Sequence, residues 1–182
     1  MPGNLQDIPE SVASSWPAPN YIDPVRRIWI VPYASVLQAV MTLMVGTRLW
    51  LRVTNKAGAL GLDDALLVPA YLAATMFTAL ILLSNYKYGT DRHIWDVQIT
   101  MFEDAALIAW LAEFAWLIST CCSKVSILLF YRRLTKGTFS RRWKYATIGA
   151  IIFVVFYCIA FVLVLVLNCR PTEAYWKSYS YT

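Results

Sequence analysis

Hydrophobic residues run through this chain in four long blocks, and polar residues recur inside three of them at helical spacing. The blocks cover residues 28–51, 65–85, 105–131 and 146–167. Crossing a bilayer core as a helix takes about 20 predominantly apolar residues, so each block is long enough. The pattern predicts an all-α transmembrane fold with four membrane-spanning helices. Pro32 falls in the first turn of its block, where a missing N–H costs little. Pro69 lies a few residues into the second and is expected to bend it.

The polar residues fall on faces. In the third block Glu113, Thr120, Lys124 and Tyr131 share one stripe at about 100° per residue. In the second, Asp64, Tyr71, Thr75, Thr78 and Asn85 do the same, and the first offers Ser35, Gln38 and Thr42. The fourth has almost nothing polar beyond Tyr157 and Cys158 and is expected to be the most lipid-exposed. Three polar stripes imply a bundle interior able to hold water or a ligand. The plainer alternative is helix-to-helix glue, each hydrogen bond contributing on the order of 0.6–2 kcal/mol.

Lys124 and Glu113 stand out, because a charge at the centre of a spanning helix costs roughly 2.5–3.5 kcal/mol on insertion scales. The third helix is therefore expected to be buried by its neighbours. Glu113 lies eleven residues from Lys124, about 16 Å along the axis and too far for a direct pair. Asp63 and Asp64 open the second block at the membrane face where the third one ends. A cluster of Asp64, Arg48 and Lys124 is expected there.

Composition agrees with a membrane protein. Hydrophobic residues make up 59% and charged ones 15%, with a mean hydropathy of +0.52, against about 45–50% and 25% for a soluble domain. The net charge of +5 invites a nucleic-acid reading, but no basic face on a soluble fold is visible to carry it. The basic residues instead set topology. Nine flank the ends facing loops one and three, namely Arg48, Arg52, Lys56, Arg132, Arg133, Lys136, Arg141, Arg142 and Lys144. Six lie on the other side, at Arg26, Arg27, Lys87, Arg92, Arg170 and Lys177. This bias places the N-terminus outside, with Arg26 and Arg27 arguing against it. Aromatic residues such as Trp29, Trp50, Trp95, Trp143 and Trp176 gather at headgroup depth.

Residues 1–27 carry five prolines and acidic groups without an apolar core, so they read as a disordered extracellular tail and not as a signal peptide. Cys121, Cys122 and Cys158 lie inside apolar blocks as small hydrophobes, and only Cys169 sits at a helix end. With a single histidine, His93, and no zinc spacing, a metal site is not expected. The chain also lacks Gly-x-Ser-x-Gly, His-Glu-x-x-His, a Gly-rich phosphate loop and a paired-carboxylate constellation, so no enzyme is expected.

Four motifs now read together: Gly-Leu-Asp-Asp at 61–64, Gly-Thr-Asp-Arg-His-Ile-Trp at 89–95, Lys-Val-Ser-Ile-Leu-Leu-Phe-Tyr-Arg-Arg-Leu at 124–134 and Cys-Arg-Pro-Thr-Glu-Ala-Tyr-Trp at 169–176. In register with four spans, they resemble the fungal rhodopsin-like integral-membrane family, which includes receptor-like proteins linked to surface sensing in plant-pathogenic fungi. The similarity runs from about Arg26 to Trp176. The resemblance implies a seven-helix bundle with the N-terminus outside. It also implies that Asp64, His93, Lys124, Arg132 or Arg133, Cys169, Pro171 and Trp176 occupy characteristic positions of that family.

Two departures matter. Asp91 stands where the family's loop has a second glycine, and it is a poorer but tolerable substitute if that position needs a positive φ. The chain also stops at Thr182, where family members continue into three further helices, and Cys169 lacks the second extracellular cysteine expected as its partner. The resemblance thus implies a truncated member, a partial gene model or a fragment: tail 1–27, rhodopsin-like domain 28–176 and a shortened extracellular end 177–182.

Retinal is not expected, because a Schiff base in a rhodopsin bundle needs a lysine in the last helix, and Lys124 lies near the cytoplasmic end of the third. The function implied by the resemblance is a receptor-like sensor of an extracellular cue at the plasma membrane. Loop 132–144 would then face a signalling partner or anionic lipid. A transporter or channel, or a non-signalling fragment that needs a partner subunit, stays open beside it.

Overall fold

The computed structural model describes residues 11, 14–56, 58–134, 141–168, 170 and 172–177. Its elements are α1 (Ile30–Val53), α2 (Leu62–Tyr88), α3 (Phe102–Leu134), α4 (Arg141–Leu167) and a short α5 (Ala174–Lys177). Two 3-10 turns, Ile94–Asp96 and Ile99–Met101, lie between α2 and α3. No strand occurs among the described residues. The helices α1 to α4 are each long and apolar enough to cross a membrane, and they coincide with the four hydrophobic blocks.

α2, α3 and α4 outrun their blocks, whereas α1 matches its block in length and starts two residues later. The apolar pattern of the third ends where charges begin, but α3 continues to 33 residues, about 50 Å of helix against a core of about 30 Å. Its ends, with Glu103 and Asp104 at one and Arg132 and Arg133 at the other, therefore project into the interfaces. The acidic start and basic finish also suit the helix dipole. Pro69 is accommodated inside α2, which runs from Leu62 to Tyr88 as one element.

The core is the seam between α2 and α3, the most intimate pair in the bundle, with α1 against α2 and α4 against α3. Its buried apolar residues are mostly small, Ala70 from α2 with Ala112 and Ala115 from α3, while the buried Cys121 of α3 turns to Cys158 on α4. Small side chains let two backbones approach closely, which is how helices gain packing energy when lipid offers no hydrophobic drive. Hydroxyls bind the same seam. Ser119 Oγ donates to the Ala70 carbonyl at 2.9 Å and Ser126 Oγ to the Asp63 carbonyl at 2.6 Å. Both steps are seven residues, so the antiparallel register is fixed at two points.

The polar stripes of α1 and α2 meet each other. Gln38 Nε2 donates to Thr75 Oγ1 at 2.9 Å and its Oε1 accepts from Thr78 at 3.1 Å. One turn on, the Thr42 and Tyr71 hydroxyls stand 3.0 Å apart. The stripe of α3 behaves differently. The neighbours do bury α3 more than any other span, as expected, but Glu113, Lys124 and Tyr131 are exposed, so the burial does not fall on its charged stripe. The close-packed seam decided the rotation of the helix, and Glu113 lies about 100° around from Ala112. No described residue of α4 is buried, in keeping with its nearly bare sequence.

Candidate functional site

Adjacent residues on a helix point about 100° apart, so Asp63 and Asp64 at the start of α2 address different neighbours. Asp64 turns to α1, where its Oδ1 accepts from Arg48 Nε at 3.0 Å and its Oδ2 lies 3.7 Å from Arg52 Nε. Asp63 turns towards α3. Its Oδ1 lies 3.5 Å from Arg133 Nη1, and its Oδ2 accepts from Arg48 Nη2 at 3.0 Å. Arg48 thus bridges both carboxylates, using the planar fork that a lysine lacks. Arg133 also lies 3.9 Å from Asp64 and donates to the Ala59 carbonyl.

The two carboxylates are deeply buried, the Asp64 side chain being 1% exposed, while Arg48 and Arg133 keep about a third of theirs open. Phe130, one turn before Arg133, places its ring 5.1 Å from the Arg48 guanidinium and 6.0 Å from that of Arg52. That face covers the cations without removing their charge. Gly61 completes the arrangement: its N–H donates to Asp64 Oδ2 at 3.3 Å. A Cβ there would overlap Asp63 Oδ1 and stand 2.8 Å from Arg133 Nη1, so any side chain at this turn would push those two groups of the cluster aside. Three arginines against two aspartates leave the cluster with one surplus positive charge.

The expected partner Lys124 is not in this cluster. Ser126 faces the α2 seam, and Lys124, two residues earlier, lies about 200° around the helix. Its ammonium sits 5.8 Å from the ring of Tyr157 on α4 instead. Arg133 takes the place foreseen for it, seven residues beyond Ser126 and so on the same face. Arg132 is exposed and points elsewhere. Of the expected residues, the structure joins Arg48, Asp64 and Arg133. Arg52, Asp63, Gly61 and Phe130 join them without having been singled out as cluster members. The i,i+4 spacing of Arg48 and Arg52 was the available signal for one of these.

The other positions lie at the opposite end of the bundle or along α3. His93 is exposed and stacks on Trp95 with centroids 4.7 Å apart. Trp95 also meets Trp16 at 5.6 Å, while the Asn20 N–H donates to the buried Asp96 Oδ1 at 2.9 Å. A third tie runs from the Arg27 N–H to the Asp91 carbonyl at 3.2 Å. Part of the tail therefore docks on the α2–α3 loop. Asp91 does not hold a positive φ; that role falls to Gly89, at φ 66° just after α2. Trp176 on α5 meets Trp110 of α3 at 5.4 Å, and Trp110 Nε1 donates to the Leu165 carbonyl at 3.3 Å. Beside it, the Lys177 ammonium hydrogen-bonds Glu173 and holds that exposed carboxyl below its ordinary range. Glu113 is exposed on the outer stripe of α3. Cys169, Pro171 and residues 135–140 of the basic loop lie outside the described residues.

Comparison with known proteins adds one positive finding. The family model described as "Fungal rhodopsin domain" matches residues 47–181, a span that begins one residue before Arg48 and takes in the whole Arg–Asp cluster. No curated protein and no solved structure matches. The matched span is well over half of the chain and contains three of the four membrane helices entire. The chain is an integral-membrane protein and belongs to the fungal rhodopsin domain family.

Proposed function

We propose that this chain is a receptor-like sensor of an extracellular cue, placed in the plasma membrane with its N-terminus outside and working without retinal or any catalytic step. The observation that carries the reading is the Arg48–Asp63–Asp64–Arg133 cluster. It ties α1, α2 and α3 together at the end where nine of the basic residues gather. The positive-inside bias turns that end towards the cytoplasm. Buried ion pairs balance a large desolvation cost against a large attraction, so a small shift of one helix tips them. A cue acting at the far end would thus be read as a change in how the three helices are held at the cytoplasmic face. The bases around the cluster are then the surface for a signalling protein or anionic lipid.

A transporter needs polar groups along a path through the bundle. The α1 and α2 stripes instead satisfy one another, and the α3 stripe faces outward, which supports the receptor reading over the transport one. Glu113→Gln separates the two. In proteoliposomes the wild-type chain is expected to carry no proton or solute flux above empty vesicles, and E113Q is expected to match it. A wild-type flux that E113Q abolishes, with the fold unchanged by circular dichroism, would replace the receptor by a transporter.

A further inference from the structure

The loop after α2 turns sharply. Gly89 takes φ 66° and the Arg92 N–H donates back to its carbonyl at 3.0 Å. This folds the Arg92 side chain over Gly89, where an added Cβ would lie 3.1 Å from Nε. Beside it is a cavity of about 260 Å³ walled by Tyr88, Ile94, Val97 and Phe102, with Arg92 as the one charged residue among its lining. The Nε of Arg92 is buried and has no hydrogen-bond partner, and no ion pair among the described residues engages its guanidinium. Buried polar atoms in folded proteins are nearly always paired, and an orphan calls for an ion, a water or a ligand to complete it. Asp91, next in sequence, has an orphaned Oδ1 of its own but does not line the cavity.

We propose that this cavity binds a small amphiphile whose anionic oxygen head pairs with Arg92 and whose short apolar body lies against Ile94, Val97 and Phe102. The guanidinium fork suits a two-oxygen head such as a carboxylate or a phosphate. The volume is below the roughly 300–1,000 Å³ of drug-sized sites, which selects a short chain. The site is held ready for its ligand. Contacts from the preceding segment, at Trp16, Asn20 and Arg27, pin the same loop to the bundle, so little ordering remains to be paid on binding. The cavity lies at the end of the bundle opposite the Arg–Asp cluster. As the place where a cue is received it rests on the receptor reading; as a binding site it does not.

Isothermal titration of octanoate into the purified full chain in maltoside micelles, with empty micelles subtracted, tests this. Octanol and dihexanoyl phosphatidic acid serve as comparators. Saturable binding of one octanoate per chain is expected. Arg92→Gln should weaken it about tenfold or more, with Arg92→Lys in between and octanol showing no dependence on Arg92. If phosphatidic acid binds more tightly than octanoate and with the same dependence, the anion is a lipid headgroup drawn from the bilayer. If R92Q fails to fold, Val97→Trp fills the cavity with the arginine intact and should remove binding by itself. Failure of both anions to bind the wild-type chain overturns the proposal, as does equal binding by R92Q or V97W. Arg92-dependent binding with no cellular response to the same acid would keep the pocket and remove the receptor reading.

Discussion

Asp64→Ala is expected to lower the unfolding free energy of the chain in detergent micelles by about 3 kcal/mol, the low end of the range for stripping one partner from a buried ion pair. The loss comes from what stays behind. Arg48 and Arg52 would keep their charges beside a single carboxylate, Asp63, which Arg133 also claims. The low end applies because Arg48 and Arg133 remain about one-third exposed and can recover some hydration. Asp64→Asn should cost less, since an amide oxygen still accepts from Arg48 Nε. Thermal unfolding followed by tryptophan fluorescence reads both changes. A Tm unchanged by D64A would mean that the cluster does not hold α1 against α2.

The second large effect belongs to the seam. Ala112 is 3% exposed and Ala115 2%, both pressed against α2. Ala112→Leu is expected to cost about 2 kcal/mol, because the added atoms must push apart two backbones that small residues had brought together. The separation should also lengthen the Ser119–Ala70 and Ser126–Asp63 hydrogen bonds, so part of the loss is polar. Ala160→Leu on the exposed α4 is the control, and a change within about 0.5 kcal/mol is expected there. Equal losses at both positions would remove the seam from the account.

Much of this arrangement was legible in the sequence. The four spans follow from hydrophobic length alone, and the α1 and α2 polar stripes found each other as hydroxyl and amide partners must. Asp64 with Arg48 was readable because both sit where charges meet a membrane face. What misled was the rotation of α3. Its most conspicuous polar stripe, Glu113 to Tyr131, suggested an inward face, whereas the helix buries a quieter one. Ala112, Ser119, Ser126 and Arg133 are spaced by sevens, and on α2 Asp63, Ala70 and Ser84 follow the same period at steps of seven and fourteen, all three of them buried. Small residues give no hydropathy signal, yet in a bilayer close approach outweighs the pairing of a distant charge. That heptad explains why Arg133 reaches Asp63 and why Lys124 cannot. The surplus of three arginines over two aspartates points the same way, for a further cation would meet repulsion.

The loop after α2 shows a second limit. Asp91 attracts notice as an apparent replacement for glycine, but the left-handed residue is Gly89, two positions earlier. A φ value belongs to the turn as a whole, and the capping glycine of a helix end can serve the loop that follows.

The central claim is that Asp64 is held by Arg48 and not by Lys124, and a pair of double-mutant cycles tests it most directly. Unfolding free energies of Arg48→Gln, Asp64→Asn and their combination should give a coupling of about 1 kcal/mol or more, as expected for contacting charges in one network. The same cycle with Lys124→Gln in place of Arg48→Gln should give additivity within about 0.5 kcal/mol. Coupling to Lys124 with additivity at Arg48 would contradict the account and put the Arg133 end of α3 in a different rotation.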